Sequence, residues 1–150
     1  MLSDVKIELT WRCNLNCIHC SGNAGQDNSV EMSFSDYMRI LSEAKAMGVA
    51  RIDLSGGEPF LWEHLESAAE RAVGCGIEVS IYTSGNVPDF TPRMRTLKNV
   101  GAKKLVFSVF AGSAARHDAT TRVVGSFDNT MRALDCTLRS GLDAQIHFVP

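Results

Sequence analysis

Five short apolar stretches alternate along this chain with longer segments of helical spacing, and no other feature of the sequence constrains its fold as strongly. VKIELT (5–10), ARIDLS (50–55), IEVSIYTS (77–84), KKLVFSVF (103–110) and DAQIHFVP (143–150) read as strands, with β-branched and alternating apolar residues. The run from Ser33 to Met47 sets Phe34, Met38, Leu41 and Met47 near one helical face. Residues 61–76, 91–101 and 126–141 read as further helices. Their ends are punctuated: Ser33 with Asp36 as a capping pair, Gly48 as a stop, Thr91 before Pro92, Ser126 at a start and Gly141 at a finish. Strands alternating with helices imply βαβ units, right-handed crossovers and a parallel sheet, so the class is α/β.

Length decides between the arrangements that satisfy this alternation. A complete eight-stranded barrel needs about 250 residues, and the chain has 150, enough for one domain over 1–150. A partial barrel or an open sheet is therefore expected, apparently truncated after its fifth strand. That last strand would leave an unpaired edge, to be covered by further chain, a second copy in a homodimer or a partner chain.

Composition removes several function classes. Hydrophobic residues at 45% are too many for a disordered chain, and a net charge of -2 gives no field that would draw the protein to nucleic acid. Trp11, Trp62 and Tyr82 follow strand and helix spacing rather than forming a stacking platform. No stretch approaches the ~18 apolar residues of a membrane span, and the first residues lack the pattern of a secretory leader, so a cytoplasmic setting is expected. In that setting five cysteines, three of them within eight residues, favour metal binding or catalysis over disulfides.

Those three cysteines, Cys13, Cys17 and Cys20, lie on one loop after the first strand. Thiolates select zinc or iron–sulfur clusters, and three protein ligands leave one position open for water, substrate or cofactor. Zinc would need a fourth ligand such as His19; plain core cysteines would sit oddly beside Asn14, Asn16 and His19. Cys75 and Cys136 fall in the helices and read as core residues. After the second strand comes Ser55-Gly56-Gly57-Glu58-Pro59. Paired glycines permit close backbone approach to a ligand, and Pro59 biases Glu58 toward an extended conformation in which its carboxylate can receive an ammonium. An ordinary turn with a solvated glutamate is the alternative.

Together CNLNCIHC and SGGEP resemble the radical S-adenosylmethionine (radical SAM) enzymes. The resemblance implies a partial (β/α) barrel, a [4Fe-4S] cluster on Cys13, Cys17 and Cys20, and S-adenosylmethionine chelating the fourth iron. It implies that Gly56, Gly57 and Glu58 hold the methionine ammonium and that His19 lies near the adenine, although a solvated loop histidine fits that position too. Reductive cleavage would then yield methionine and a 5'-deoxyadenosyl radical that abstracts hydrogen from substrate, chemistry that belongs to the cofactor. An electron donor such as flavodoxin or ferredoxin would be required.

A further stretch, HDATTRVVGSF (117–127), is similar to a segment of those radical SAM enzymes that carry a C-terminal SPASM domain and often modify peptides. By that resemblance Ser108 contacts the ribose or the methionine carboxylate, and Arg122 pairs with that carboxylate. His117 and Asp118 are expected to order the local backbone. Thr83-Ser84-Gly85-Asn86 follows the third strand where relatives often read Thr-Asn-Gly, so Ser84 stands in for an asparagine contact. All these residues follow strand C-termini, the edge where sites in parallel α/β folds lie. A peptide-modifying radical enzyme is the expectation; a non-catalytic iron–sulfur or SAM-binding module, or a fragment needing a partner chain, is the alternative.

Overall fold

The structure is a computed structural model that describes residues 2–20, 22–25 and 27–148. Five strands form one sheet: β1 (Asp4–Glu8), β2 (Arg51–Ser55), β3 (Glu78–Thr83), β4 (Lys104–Val109) and β5 (Asp143–Phe148). They lie in sequence order, and every neighbouring pair is parallel. A doubly wound sheet would reverse its strand order at a switch point. Here the order never reverses, so right-handed crossovers put the helices on one side of the sheet and give a partial barrel.

The two faces of the sheet divide the chemistry. Ile7, Leu9, Ile52, Leu54, Val79, Ile81, Leu105 and Phe107 point to the helices and are buried. They pack against Tyr37 and Leu41 of α1 (Phe34–Ala46), Leu65 and Ala69 of α2 (Leu65–Gly74), Met94 and Leu97 of α3 (Phe90–Asn99), and Ala133 of the last helix. The opposite face carries Lys6, Asp53, Ser80, Tyr82, Lys104, Ser108 and His147, a period-two consequence of the same strands. Each fully buried leucine or isoleucine contributes roughly 1.5–3 kcal/mol, so the helix side holds the fold together and leaves the polar face for function.

Several boundaries differ from the sequence reading, each for a local reason. The second helix begins at Leu65 rather than Leu61, after a 3₁₀ turn over Pro59–Leu61. Arg93 takes the carbonyls of Phe60 and Trp62, which a helix would otherwise use, and pairs with Glu66 at 2.5 Å. The third helix starts at Phe90 with Asp89 before it, so Thr91 is a first-turn residue and not the cap. Ser33 does cap α1, accepting from the Asp36 N–H at 3.1 Å. A helix absent from the sequence reading, α4 (Ala114–Thr121), precedes α5 (Ser126–Ser140). The final two residues of the expected fifth strand, 149–150, lie outside the described residues. Among the described residues no helix is long and apolar enough to cross a membrane.

Candidate functional site

The loop from Thr10 to Met32 carries the three cysteines, and its shape is set by backbone bonds to distant parts of the chain. On one side the Gly57 and Glu58 N–H groups donate to the carbonyls of Thr10 and Arg12 at 2.7 and 2.8 Å. A Cβ on Gly56 would sit 2.3 Å from the Thr10 carbonyl oxygen, and one on Gly57 would sit 2.2 Å from that of Arg12. The paired glycines thus admit the cysteine loop's own backbone, a partner the sequence reading had assigned to a ligand. On the other side the Asn16 and Ile18 N–H groups donate, each at 3.0 Å, to the carbonyls of Thr121 and Thr120 at the end of α4. These carbonyls lack helical partners at a C-terminus, and the loop supplies them.

The stretch around His117 explains why α4 ends there. Asp118 accepts from the Gly125 N–H at 2.6 Å and from the Phe127 N–H and Ser126 hydroxyl at 2.9 Å, which satisfies the first donors of α5. These bonds hold the Asp118 carboxyl below its ordinary value. His117 is fully buried, its Nδ1 3.1 Å from the Ser126 hydroxyl, and burial lowers its pKa. Both residues order the α4–α5 turn, as the sequence reading had them.

Glu58 differs from its expectation. It is 0% exposed, and its carboxylate is fully engaged by protein donors. Oε1 accepts from the Thr83 hydroxyl at 2.7 Å and the Phe60 N–H at 3.3 Å; Oε2 accepts from the Ser84 N–H at 2.9 Å and the Ser84 hydroxyl at 2.7 Å. A carboxylate has about four lone-pair sites, so none remains for an ammonium, and the side chain does not line the cleft described next. Burial raises its pKa against the pull of these four donors. Its work is internal: it ties the turn after β2 to the turn after β3. From Asn86, in that second turn, the side-chain amide donates to Thr130 at 2.9 Å, and the Asn86 backbone carbonyl accepts from the side-chain amide of Asn14 in the cysteine loop.

One cleft at the carboxyl ends of the strands collects Cys13, Cys17, His19, Cys20, Gly56, Gly57, Ser84 and Ser108. His19 stands edge-on to Phe110 with ring centroids 4.5 Å apart. Arg122 is not brought there. It has left-handed backbone (φ 57°), is exposed, and faces a neighbouring cleft with Asn14, Asn16 and Asp27. Sequence reasoning also missed Lys6, Tyr82 and His147, which line the main cleft; their alternation with apolar strand neighbours is the signal that would have found them.

The five cysteines are free thiols. Burial, aided by the nearby charges of Glu58, Cys17 and Cys20, pushes Cys13 up to about 12, and burial with Cys20 pushes Cys17 to about 11. Among the described residues no three Cys, His, Asp or Glu side chains converge to hold a single metal ion. A cluster bound through separate irons asks for thiols spread along a loop.

Residues 7–150 match the profile of the Radical SAM superfamily. The chain is 30% identical over 141 residues to a probable GTP 3',8-cyclase of Methanocella arvoryzae, covering 94% of this chain and 45% of that one. It is 32% identical over 149 residues to the mycofactocin maturase MftC of Mycolicibacterium smegmatis, covering 95% and 36%. Its fold resembles that of Streptococcus suis SuiB, solved bound to its precursor peptide SuiA, with a TM-score of 0.80, 18% identity, and 97% of this chain and 32% of that one covered. The chain thus spans less than half the length of these relatives. Fold, matched profile and loop positions agree, and the chain belongs to the radical SAM superfamily.

Proposed function

We propose that this chain carries the cofactor-binding part of an enzyme that cleaves S-adenosylmethionine reductively and uses the resulting radical on a peptide. The observation that carries this reading is the single cleft shared by three free cysteines, the turns after β2 and β3, and Ser108 after β4. The residues present fit the group: three free thiols on one loop bordering the cleft are soft ligands that would hold three irons of a [4Fe-4S] cluster. Bound there, the cluster and S-adenosylmethionine would supply reductive, one-electron radical chemistry for hydrogen abstraction from substrate.

The chain's own part is to bind and orient. Cys13, Cys17 and Cys20 surrender their thiol protons as ligands. Gly56 and Gly57 seat the cysteine loop, and Glu58 fixes the Ser84 turn, whose hydroxyl and backbone border the cofactor's amino-acid end. Ser108, on the neighbouring strand β4, offers a hydroxyl to the same cleft, and the His19 ring, braced by Phe110, forms a surface for the adenine. Arg122 reaches the cofactor only by turning from its neighbouring cleft. A flavodoxin or ferredoxin would deliver the electron. The peptide substrate is supported by the mycofactocin maturase relative and by the SuiB fold.

Anaerobic reconstitution with iron and sulfide, followed by electron paramagnetic resonance of the reduced protein with and without S-adenosylmethionine, tests this reading. A [4Fe-4S] signal that shifts on adding the cofactor, with 5'-deoxyadenosine formed under reduction, is the expected result. A shift without 5'-deoxyadenosine would make the chain a binding module, and no cluster would overturn the assignment of the three cysteines.

A further inference from the structure

Below the loops, the floor of the cleft is the polar face of the sheet, and there Lys6 of β1, Tyr82 of β3 and His147 of β5 meet. The Lys6 ammonium lies 4.7 Å from the centre of the Tyr82 ring, and the His147 ring stands edge-on to Tyr82 at 6.0 Å. Other cations of this face are occupied: Arg51 pairs with Asp4 at 2.5 Å, and Lys104 donates to Gln145 at 2.7 Å. Among the described residues Lys6 has no oxygen partner. The aromatic face orients its charge without neutralising it.

Acidic groups stand near this floor without lining it. Asp53 is opposite Lys6 in the strand register, and Asp143 lies at the far end of the same row, beyond Ser80 and Lys104. Glu58 is turned into the protein. Among the described residues no carboxylate lines the cleft. Burial, the charge of the Asp53 carboxylate and a hydrogen bond to it hold the Tyr82 phenol above its ordinary value, so the phenol is committed to Asp53. An ammonium with no oxygen partner and an imidazole, with the nearest carboxylate, Asp53, engaged by the Tyr82 phenol, make a receiver for a single negative charge.

We propose that Lys6, with the His147 imidazole beside it, receives a carboxylate of the peptide substrate on the floor of this cleft. The inference rests on the peptide reading given above. One ammonium suits a monoanion, whereas a triphosphate would call for several cations. Lys6 also sits in the body of its strand, seven residues before Cys13, below the loops assigned to the cofactor. The carboxylate is either a C-terminus or an acidic side chain.

The test is retention of short random peptides by the cluster-loaded protein with S-adenosylmethionine, read by mass spectrometry. One pool has free C-termini and Asp and Glu; a second is amidated but acidic; a third is amidated with Asn and Gln in their place. The wild type should favour the first pool over the third by about tenfold, and the second pool reports which carboxylate is read. Lys6→Met should erase the preference and Lys6→Arg keep it, with S-adenosylmethionine affinity unchanged within about twofold by equilibrium dialysis. Equal retention of the charged and neutral pools, or an unchanged preference in Lys6→Met, overturns the inference and leaves the peptide reading standing. Retention of no pool by protein that still binds the cofactor removes both. A loss of S-adenosylmethionine affinity in Lys6→Met that is absent with decarboxylated S-adenosylmethionine would assign Lys6 to the cofactor and overturn the inference.

Discussion

Replacing Glu58 by glutamine isolates the internal role of that side chain. Glutamine keeps the shape and one accepting oxygen but turns the other oxygen into an NH2 donor. With the amide oxygen toward Ser84, both Ser84 bonds survive, and the Thr83 hydroxyl can rotate to accept from the new NH2. The Phe60 N–H, 3.3 Å from Oε1, cannot reverse and becomes a buried orphan. With the amide flipped, the Ser84 N–H is orphaned instead. Either way one buried backbone donor loses its partner, a cost of about 1–3 kcal/mol. With a urea dependence of roughly 2 kcal/mol per molar, the unfolding midpoint should fall by about 1 M.

The pH dependence of that difference is a second readout. Because burial raises the folded carboxyl above its ordinary 4.5, the unfolded chain gives up its proton first as pH rises. The carboxyl's contribution to stability is therefore full below about 4.5 and declines as pH climbs toward the folded value. The gap between wild type and Glu58→Gln should be widest in acid and narrow on the alkaline side of that window, measured by urea unfolding across pH. An unchanged midpoint combined with a tenfold weaker affinity for S-adenosylmethionine would refute the reasoning, since the carboxylate would then face the cofactor.

Five further substitutions, two of them controls, probe the loops and the α5 cap. Gly57→Ala should displace the cysteine loop and lower iron uptake, because the new Cβ meets the Arg12 carbonyl, whereas Gly74→Ala, with open space around it in α2, should leave uptake unchanged; iron assay after reconstitution compares them. Cys17→Ala should lose the cluster and Cys75→Ala retain it, and equal iron in the two proteins would contradict the assignment. Asp118→Asn should destabilise the fold by weakening the α5 cap. Asp118 has a lowered pKa, so its contribution is present above 3.8 and lost as pH falls through the folded value; the deficit of the Asn variant should shrink in acid, as thermal melts at several pH values would show.

The barrel strands were legible because their apolar alternation is a direct record of burial on one face. So was the start of α1, where Ser33 and Asp36 carry the cap chemistry themselves. The α4 helix was hidden because its buried positions, His117 and Thr121, are polar, so a one-turn stripe exists without hydrophobic residues to reveal it. Of the site, the sequence displayed which residue types cluster but not who occupies their bonds. A glutamate after two glycines looks the same whether its donors come from a ligand or from Thr83, Ser84 and Phe60. Arg122 shows the same gap: its loop position is readable, while the direction set by its left-handed backbone is not.

The bonds from Asn16 and Ile18 to the end of α4 join segments about a hundred residues apart. During synthesis the cysteine loop leaves the ribosome early, but its anchoring carbonyls exist only after the fourth strand and the helix behind it have been made. Until then the three thiols sit on a loop anchored on one side alone, by the Gly57 and Glu58 N–H groups. Cluster delivery that depends on this shape has to wait until α4 has been made, and the α4 carbonyls act as an assembly checkpoint written into the backbone.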